Sequence, residues 1–425
     1  MKKLLVLGGT KISCEIVKKA KDMGLYVAVL DYNPPEHSPA KQIADESFLI
    51  SAADVDGVVE LIRREHFDGV ITGFADVLLP YYAEICQKTG LPSFGTKEQF
   101  DLFTDKNQYK ELLLRYEIPT PVFCYASDWE KQEVAFPVMI KPVDSSGARG
   151  CIVCHSRDGM EAALKESLRF SKKGDAIIEE YITGPEVTAF FVIQDGEAHF
   201  AALGNRHVEN HQGEGVIALP VGYTYPSNLT ASYMENIAPK MQRMLEDQGI
   251  RNGMLFAQCI VSNGVPMVYD LGLRLTGSLE YYMLEHACGY NTLERMIRFA
   301  VTGSMGEPIK NQIDPFLNGQ YGWNISALLR PGKIAAYRGL ENMSAFKDLI
   351  AAVPAFNSGD ELTQADKGLL KQIGCRFIGA SATYDDMKET VGKIEEIFDV
   401  LDPEGESLLL PTLNIEKYKA TLAVQ

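Results

Sequence analysis

Residues 1–95 alternate short apolar runs with segments of helical apolar spacing. The runs KLLVL, YVAVLD and DGVITG are mostly apolar, and amphipathic segments such as ISCEIVKKAKDMG and DVDGVVELIRREH separate them. Apolar strands of about five residues that alternate with helices indicate a parallel sheet covered on both faces. We therefore expect residues 1–95 to form a Rossmann-like α/β domain.

The first turn of this domain, Gly8-Gly9-Thr10, is compatible with a dinucleotide site, with Asp31 at the end of the second strand. The fingerprint G-x-G-x-x-G is absent, however, because Ser13 occupies the third glycine position. A domain without a dinucleotide is therefore the favoured interpretation. Its crevice could still hold a small substrate.

The stretch from Phe136 to Glu186 carries the main functional signal. An apolar run with one lysine, Lys141, ends in the small-residue loop SSGARG of residues 145–150, and a second apolar run follows. Glycines and serines allow backbone N–H groups to approach a phosphate, and a lysine supplies the compensating charge. Two carboxylates, Glu179 and Glu180, then follow an apolar run. If the loop contacts phosphates, the carboxylates up to Glu186 would follow along the chain in the order of the base and the sugar of a nucleotide.

A helix should begin just before this stretch, with Thr104 or Asp105 as its N-cap. Lys106 would lie in its first turn, where a cation is mildly unfavourable for the helix dipole. A bound phosphate would compensate that charge. The alternative is a solvated surface lysine.

The bulk properties exclude several classes of protein. At 425 residues the chain should form two to four domains. A net charge of −16 without a basic cluster disfavours nucleic-acid binding, and we find no apolar run long enough to span a bilayer. The eight scattered cysteines favour reduced thiols in the cytoplasm, and the C-x-x-C of Cys151 and Cys154 is interpreted as structural.

Taken together, these motifs resemble the ATP-grasp superfamily of carboxylate–amine ligases. The similarity is greatest to the branch with biotin carboxylase, the large chain of carbamoyl-phosphate synthase, purine-pathway ligases and L-amino-acid ligases. FPVMIKPVDSSGARG, IIEEYITGPE and YDLGLRLTGS are similar to its nucleotide and metal motifs. The resemblance implies a Rossmann-like domain over 1–95, an ATP-grasp domain over 96–305 with a lid at about 118–185, and a C-terminal α+β domain, like that of biotin carboxylase, over 306–425.

The resemblance also implies roles for individual residues. Two lysines would bind the ATP phosphates, and the 145–150 loop would close over the β- and γ-phosphates. Glu179 would accept from the adenine amino group, the backbone that follows would line the base, and Glu186 would bind the ribose. The implied nucleotide-binding residues are Lys106, Lys141, Ser145, Ser146, Gly147, Arg149, Glu179, Glu180, Tyr181, Ile182 and Glu186. Each motif alone also fits an ordinary turn or strand end.

The metal motif departs from the pattern of the superfamily. Asp270 is a sound ligand for Mg²⁺ or Mn²⁺, but the partner positions hold the neutral Gln258 and Gly272. Because water and ATP phosphates can complete the octahedron, one strong carboxylate could suffice. A non-catalytic nucleotide sensor is the alternative.

The turn between the strands of Gln258 and Asp270 decides whether Gln258 can belong to the metal site. A two-residue turn at Asn263-Gly264 would pair Ala257 with Asp270 and turn Gln258 to the opposite face. A three-residue turn with Gly264 as a left-handed bulge would keep Gln258 and Asp270 on one face. We predict the bulged turn.

Two further features concern the substrates. Arg274 would stabilise an acyl phosphate, with a structural ion pair as its alternative role. The segment from Arg206 to His211 is expected to be a polar loop at the rim of the substrate site, where a metal site is less favoured. The pocket should also involve Tyr281 and Tyr282.

The expected activity is ATP-dependent ligation. Lys141 and Arg274 would be the catalytic residues, a small carboxylate and an amine the substrates, and an acyl phosphate the intermediate. ATP-dependent carboxylation with bicarbonate is the alternative enzyme class. We expect a cytoplasmic enzyme of small-molecule metabolism, a possible homodimer, without nucleic-acid or membrane partners.

Overall fold

The computed structural model of the protein describes residues 1–209, 219–309, 312–411 and 415–423. Its first sheet has four parallel strands in the order β3-β2-β1-β4. The strands are β1 (Lys3–Leu7), β2 (Tyr26–Asp31), β3 (Glu46–Leu49) and β4 (Gly69–Ile71), and the helices are α1 (Cys14–Asp22), α2 (Pro39–Ile43), α3 (Val55–Glu65) and α4 (Leu79–Thr89). The parallel sheet expected from the sequence is confirmed.

The first turn of this sheet is filled by side chains of the protein itself. The Gly9 N–H donates to the Asp31 carboxylate at 2.7 Å. A Cβ on Gly9 would lie only 1.7 Å from the Ser38 hydroxyl. This close packing explains why a glycine is needed at residue 9.

Two helices lead from the first domain to the next part of the chain, α5 (Lys97–Thr104) and α6 (Lys106–Arg115). Asp105 is the N-cap of α6, since its carboxylate accepts from the Gln108 N–H at 3.2 Å. This cap was one of the two expected from the sequence. It fixes Lys106 at the first position of the helix.

A small antiparallel sheet, here called the lid sheet, follows. It has the strand order β5-β8-β6-β7 and is covered by one helix. Its elements are β5 (Phe123–Tyr125), β6 (Val138–Pro142), β7 (Ile152–Cys154), α7 (Met160–Leu168) and β8 (Ala176–Glu180). Its buried side chains form a hydrophobic cluster separate from the main core.

The largest sheet has eight antiparallel strands in the order β13-β12-β9-β10-β11-β14-β19-β17. These strands are β9 (Glu186–Gln194), β10 (Glu197–Glu209), β11 (Leu219–Tyr225), β12 (Gly253–Ser262), β13 (Val265–Leu273), β14 (Tyr321–Leu328), β17 (Leu349–Pro354) and β19 (Ile373–Ser381). The helices in this part are α8 (Thr230–Asn236), α9 (Ala238–Asp247), α10 (Glu280–Cys288), α11 (Thr292–Thr302) and α12 (Tyr384–Ile397).

Short strands complete the C-terminal part: β15 (Gly332–Lys333) pairs with β18 (Glu361–Leu362), and β16 (Ala336–Arg338) with β20 (Asp399–Leu401). Since β14, β17 and β19 belong to the eight-stranded sheet, the predicted boundary at 305/306 does not coincide with the edge of a sheet. The division into three domains stays a prediction.

The prediction of a bulged turn between β12 and β13 is wrong. Ser262 pairs with Val265, so the turn has two residues, Asn263 and Gly264, both with positive φ (50° and 78°). Such a turn matches the right-handed twist of the flanking strands.

A register shift further along the hairpin restores the alignment that the bulged turn was meant to provide. Cys259 pairs with Val268 whereas Gln258 pairs with Asp270, which leaves Tyr269 as an extra residue on β13. Directly paired residues point to the same face of a sheet. Gln258 and Asp270 are therefore neighbours despite the two-residue turn.

Within the described ranges, no helix has the length and apolar character needed to cross a membrane. All eight cysteines lie in these ranges and are free thiols, including Cys151 and Cys154.

Candidate nucleotide site and substrate cleft

The lid sheet and the hairpin β12–β13 meet at a group of polar side chains, and we call the region between these elements the cleft. Lys141 on β6 donates to the Tyr269 carbonyl at 3.4 Å, and Tyr109 on α6 donates to the Asp270 carboxylate at 3.4 Å. Lys106, at the start of α6, donates to the Ser145 carbonyl at 2.7 Å. Both predicted phosphate lysines therefore lie beside the predicted loop and the predicted metal ligand.

The loop between β6 and β7 has a tight and unusual backbone. Gly147, Ala148 and Gly150 all have positive φ, and the Ser145 hydroxyl donates to the Arg149 carbonyl at 2.8 Å. A Cβ on Gly150 would lie 2.7 Å from Phe170, so a glycine is required there.

The exposure of this loop suits a ligand contact. Gly147 and Arg149 are exposed, while Ser145 and Ser146 are partly buried. The Arg149 Nε donates to the Ser146 carbonyl at 3.3 Å. Backbone and guanidinium donors near the loop tip are thus available to an anion.

Glu179 on β8 lies between two lysines. Its carboxylate contacts Lys110 of α6 at 2.9 Å and Lys141 of β6 at 2.7 Å. Lys110 is fully buried and also donates to the Thr120 hydroxyl at 2.6 Å. This buried cluster links α6 to the lid sheet.

The pKa values of the cluster follow from burial and charge. Burial alone would raise the pKa of Glu179, but Lys110 and Lys141 together bring it below its ordinary value. Burial lowers the pKa of Lys110 to about 8 against the attraction of Glu179. The carboxylate is therefore ionised and compensated inside the protein.

This arrangement corrects the reasoning from the sequence. A buried Glu179 does need a partner, but two lysines provide it, so an adenine amino group is not required for that purpose. An adenine contact by this side chain stays a prediction.

The segment after β8 connects the lid sheet to the eight-stranded sheet. The Glu180 carboxylate accepts from the Val122 N–H at 2.9 Å, and Tyr181 is exposed. Ile182 is partly buried, and its backbone makes no hydrogen bond with the described residues. A Cβ on Gly184 would lie 2.3 Å from the Val261 carbonyl. A contact of the backbone near Ile182 with a base stays a prediction.

Glu186, the predicted ribose ligand, is held by two neighbours. Its carboxylate accepts from the Tyr269 hydroxyl at 2.8 Å and forms an ion pair with Arg206. Because the Tyr269 backbone contacts Lys141, one residue connects the predicted phosphate and sugar positions.

The expectation of a polar loop from Arg206 onward is wrong for residues 206–209, which belong to strand β10. His207 is 4% exposed and shares a 2.8 Å hydrogen bond with the Thr224 hydroxyl. Burial lowers the pKa of His207 to about 3. His207 is thus part of the interior and not of a rim, because strand pairing turns it inward. His211 lies outside the described residues.

The face that carries Asp270 and Gln258 suits a hard cation. Asp270 has no ion-pair partner within 4 Å among the described residues, and burial raises its pKa against the attraction of Lys106 and Lys141. Carboxylate and amide oxygens are ligands that Mg²⁺ accepts. No group of three or more His, Cys, Asp or Glu side chains in the described ranges could hold a metal by itself. A metal here would need oxygens from a ligand such as ATP.

Arg274 forms a bidentate ion pair with Asp76, which follows β4 in the first domain. Nε and Nη2 lie 2.5 and 2.9 Å from the two carboxylate oxygens, and Nη1 donates to the Leu275 carbonyl at 3.0 Å. The structure therefore shows Arg274 in a structural ion pair, which was its alternative role. A substrate would have to displace Asp76 to use the same donors.

The predicted pocket tyrosines belong to α10. Tyr281 is fully buried, and Tyr282 donates its hydroxyl to Glu15 of α1. Both residues therefore lie where the first domain packs against the eight-stranded sheet.

Sequence reasoning missed four residues of the cleft: Lys110, Asp76, Arg206 and Tyr269. Lys110 lies one helical turn after Lys106, a spacing that could have indicated it. Arg206 was noticed only as part of a loop. Asp76 and Tyr269 carry no local signal, since the fold and the register shift bring them into place.

Comparison with known proteins agrees with this geometry. Residues 104–278 match the family described as phosphoribosylglycinamide synthetase, ATP-grasp (A) domain. A carbamoyl phosphate synthase large chain from Clostridium botulinum (strain Langeland) is 24% identical over 300 residues, which cover 66% of this chain and 27% of that protein. The chain thus spans about a quarter of the length of this relative.

Solved structures show the same fold over nearly the whole chain. The L-amino acid ligase from Bacillus licheniformis has a TM-score of 0.75 at 18% identity, covering 95% of this chain and 99% of that one. The biotin carboxylase domain dimer of 2-oxoglutarate carboxylase from Hydrogenobacter thermophilus, solved with MgADP and bicarbonate, has a TM-score of 0.77 at 18% identity, covering 94% and 90%.

The matched segment contains α6, the lid sheet and the hairpin with Asp270, and therefore all the predicted nucleotide-binding and metal-binding residues. Residues 104–278 of the chain belong to the ATP-grasp superfamily.

Proposed function

We propose that the protein is a Mg²⁺-dependent ligase that uses ATP to join a small carboxylate to an amine through an acyl phosphate. The observation that carries this proposal is the single cleft in which Lys106, Lys141, the 145–150 loop and Asp270 meet. The membership of the ATP-grasp superfamily supports it.

The residues of the cleft would act mainly by positioning and charge. Lys106 and Lys141 neutralise the negative charge of the phosphates, and the loop donors bind the terminal phosphate. A carboxylate oxygen of the substrate attacks the γ-phosphorus, and ADP leaves. The amine then attacks the acyl carbon, phosphate departs with that oxygen, and the amine proton passes to solvent. The lid sheet would exclude water from the acyl phosphate.

The buried cluster of Lys110, Glu179 and Lys141 would preorganise this site. Glu179 holds Lys141 in place through a 2.7 Å contact, so the lysine loses little freedom when a phosphate binds. Arg274 would contact the acyl phosphate only after exchanging Asp76 for the substrate.

A bound Mg²⁺ would be held by Asp270 and Gln258 together with phosphate oxygens, and would supply neutralisation of the phosphate charge. Gln258 is a neutral donor, which predicts weaker metal binding than a second carboxylate would give.

Carboxylation is the second candidate, because the Hydrogenobacter structure with a TM-score of 0.77 was solved with bicarbonate. In that case bicarbonate would take the place of the small carboxylate.

Since the Hydrogenobacter structure is described as a dimer, we further propose that this chain forms a homodimer. We expect it to act in the cytoplasm.

The test is release of phosphate from MgATP with a panel of carboxylates, amines and bicarbonate. Release that needs both an acid and an amine supports the ligase, and release stimulated by bicarbonate supports the carboxylase. Nucleotide binding without turnover on the whole panel would contradict both and support a sensor.

A further inference from the structure

Three oxygen-bearing side chains lie side by side on neighbouring strands, and we call them the oxygen row. Gln258 of β12 pairs with Asp270 of β13 on one side and with Thr188 of β9 on the other, so all three side chains point to the same face of the sheet. The Thr188 hydroxyl is buried and has no hydrogen-bond partner among the described residues. Such oxygens suit a hard cation and its water shell, and together they carry at most one negative charge.

An aromatic ring closes the oxygen row on the side of Arg274. Phe256 pairs with Gly272, and both lie on the face of Asp270, two residues along the hairpin. A Cβ on Gly272 would lie 2.2 Å from a ring carbon of the buried Phe256, so the ring fills the space that a side chain at residue 272 would need. The Arg274 guanidinium lies 5.0 Å from the centroid of this ring. A second cation on this side would therefore meet no protein oxygen, and the guanidinium would repel it.

A lysine over an aromatic ring bounds the oxygen row in the other direction along the hairpin. The Lys141 Nζ lies 5.1 Å from the centroid of the Tyr269 ring and donates to the Tyr269 carbonyl. Lys141 and Lys106 both act on Asp270 electrostatically. Positive side chains of the protein thus lie on both sides of the row, where they oppose a further cation.

The other carboxylates of the cleft are already compensated by the protein. Asp76 forms the bidentate pair with Arg274, Glu179 contacts two lysines, and Glu186 pairs with Arg206. None of these three carboxylates is free to bind a metal ion in the arrangement described. The negative charge that the protein offers to cations is therefore that of the oxygen row alone.

Phosphoryl transfer from ATP uses one or two divalent cations, and in two-metal sites the ions lie roughly 3.5–4 Å apart. We propose that this cleft holds a single divalent cation on the row of Asp270, Gln258 and Thr188, and that the Phe256 ring excludes a second. This inference rests on the proposed function, because the cation is the one that accompanies ATP. The lysines beside the row supply the positive charge that a second metal ion would otherwise give to the phosphates.

The experiment counts bound Mn²⁺ by electron paramagnetic resonance, since the signal of free Mn²⁺ is lost on binding. Mn²⁺ is titrated into the protein with a non-hydrolysable ATP analogue, and the protein is kept in excess so that free analogue does not add to the count. Asp270→Asn is compared with the surface change Asp101→Asn. Phe256→Ala combined with Gly272→Asp removes the ring and adds a carboxylate, and Phe256→Ala combined with Gly272→Ala is its matched control.

We expect one Mn²⁺ per bound analogue in the wild type and in Asp101→Asn. Asp270→Asn should weaken this binding at least 10-fold, because the one charged oxygen ligand of the row is lost. The variant with Asp at residue 272 should bind two Mn²⁺, since it has both the space and the oxygen. Its control with Ala should bind one. The backbone of residue 272 accepts these side chains because its φ is not in the left-handed region.

Three results would overturn the proposal: two bound Mn²⁺ or none in the wild type, unchanged binding in Asp270→Asn, or equal counts in the two double variants. If a double variant does not fold, the first two measurements still decide. Failure of the ligase function looks different. One bound Mn²⁺ without phosphate release on the substrate panel would keep the single-cation site and reject the ligase, whereas two bound Mn²⁺ with release that needs both acid and amine would do the reverse.

Discussion

Among single residues, the carboxylates of the cleft differ in how far neighbouring side chains of the protein compensate their negative charge. Glu179 has two lysines in contact and Glu186 has Arg206 and the Tyr269 hydroxyl. Asp270 is partly buried, with only the Tyr109 hydroxyl as a hydrogen-bond donor among the described residues. Asp270 is therefore the carboxylate with the greatest capacity for a cation.

Replacing Asp270 by Asn should reduce turnover of ATP at least 100-fold and leave the fold intact. The substitution keeps the shape of the side chain and removes the charge that we assign to the metal. Steady-state phosphate release with varied Mg²⁺ measures the effect, and Asp101→Asn, a surface change on α5, is the control. Wild-type turnover in Asp270→Asn would contradict the metal assignment.

Replacing Glu186 by Ala should raise the KM for ATP about 10-fold with little change in kcat. A ribose contact is equally strong in the ground state and the transition state, so its loss weakens binding alone. Initial rates at varied ATP separate the two constants. A fall in kcat at constant KM would argue against a ribose contact.

At the scale of elements, pairing between strands decides which residues reach the cleft. The extra residue Tyr269 on β13 aligns Gln258 with Asp270, and strand β10 carries Arg206 to Glu186 while His207 packs inward. A single-residue shift in register has no signature in the sequence, which is why a bulged turn was predicted in place of the shift at Tyr269. Arg206 was missed for another reason, because its segment was predicted to be a polar loop.

The link between α6 and the lid sheet should contribute strongly to stability. Glu179→Gln leaves the buried charges of both Lys110 and Lys141 without a carboxylate in contact, and we expect the free energy of unfolding to fall by about 3–5 kcal/mol. Urea unfolding measures this loss. Glu166→Gln, an exposed site on α7, should change it by less than about 0.5 kcal/mol. Equal stability of the two variants would show that the cluster is not a stabilising link.

Strand β10 should make the protein sensitive to acid through His207. The pKa of His207 is about 3 in the folded protein and about 6.5 when unfolded, so between these values the unfolded chain binds a proton that the folded protein does not. Stability from this group is complete above pH 6.5 and falls as the pH is lowered. From pH 7 to 4.5 the loss should be roughly 2–3 kcal/mol.

His207→Gln should remove this part of the pH dependence, as measured by urea unfolding at pH 7 and 4.5. His155→Gln, at an exposed position, is the matched control and should keep the wild-type slope. An unchanged slope in His207→Gln would mean that other groups cause the acid sensitivity.

For the molecule as a whole, the candidate cleft is formed by parts distant in sequence. The first domain contributes Asp76, the lid sheet Lys141, and the eight-stranded sheet Asp270 and Arg274. The parallel sheet of residues 1–95 and the strand–loop–strand motif were predictable, because periodicity and glycine content are local properties. The contact of Asp76 with Arg274 could not be predicted from the sequence, because only the packing of two domains creates it.

The proposed function requires that ATP phosphorylates a substrate carboxylate in this cleft. The direct measurement uses the accepted acid with ¹⁸O in both carboxylate oxygens and follows the mass of the released phosphate. The account predicts one ¹⁸O atom in each phosphate, since the carboxylate oxygen attacks the γ-phosphorus and leaves with it. Release of unlabelled phosphate during product formation would contradict the acyl phosphate and the proposed function with it.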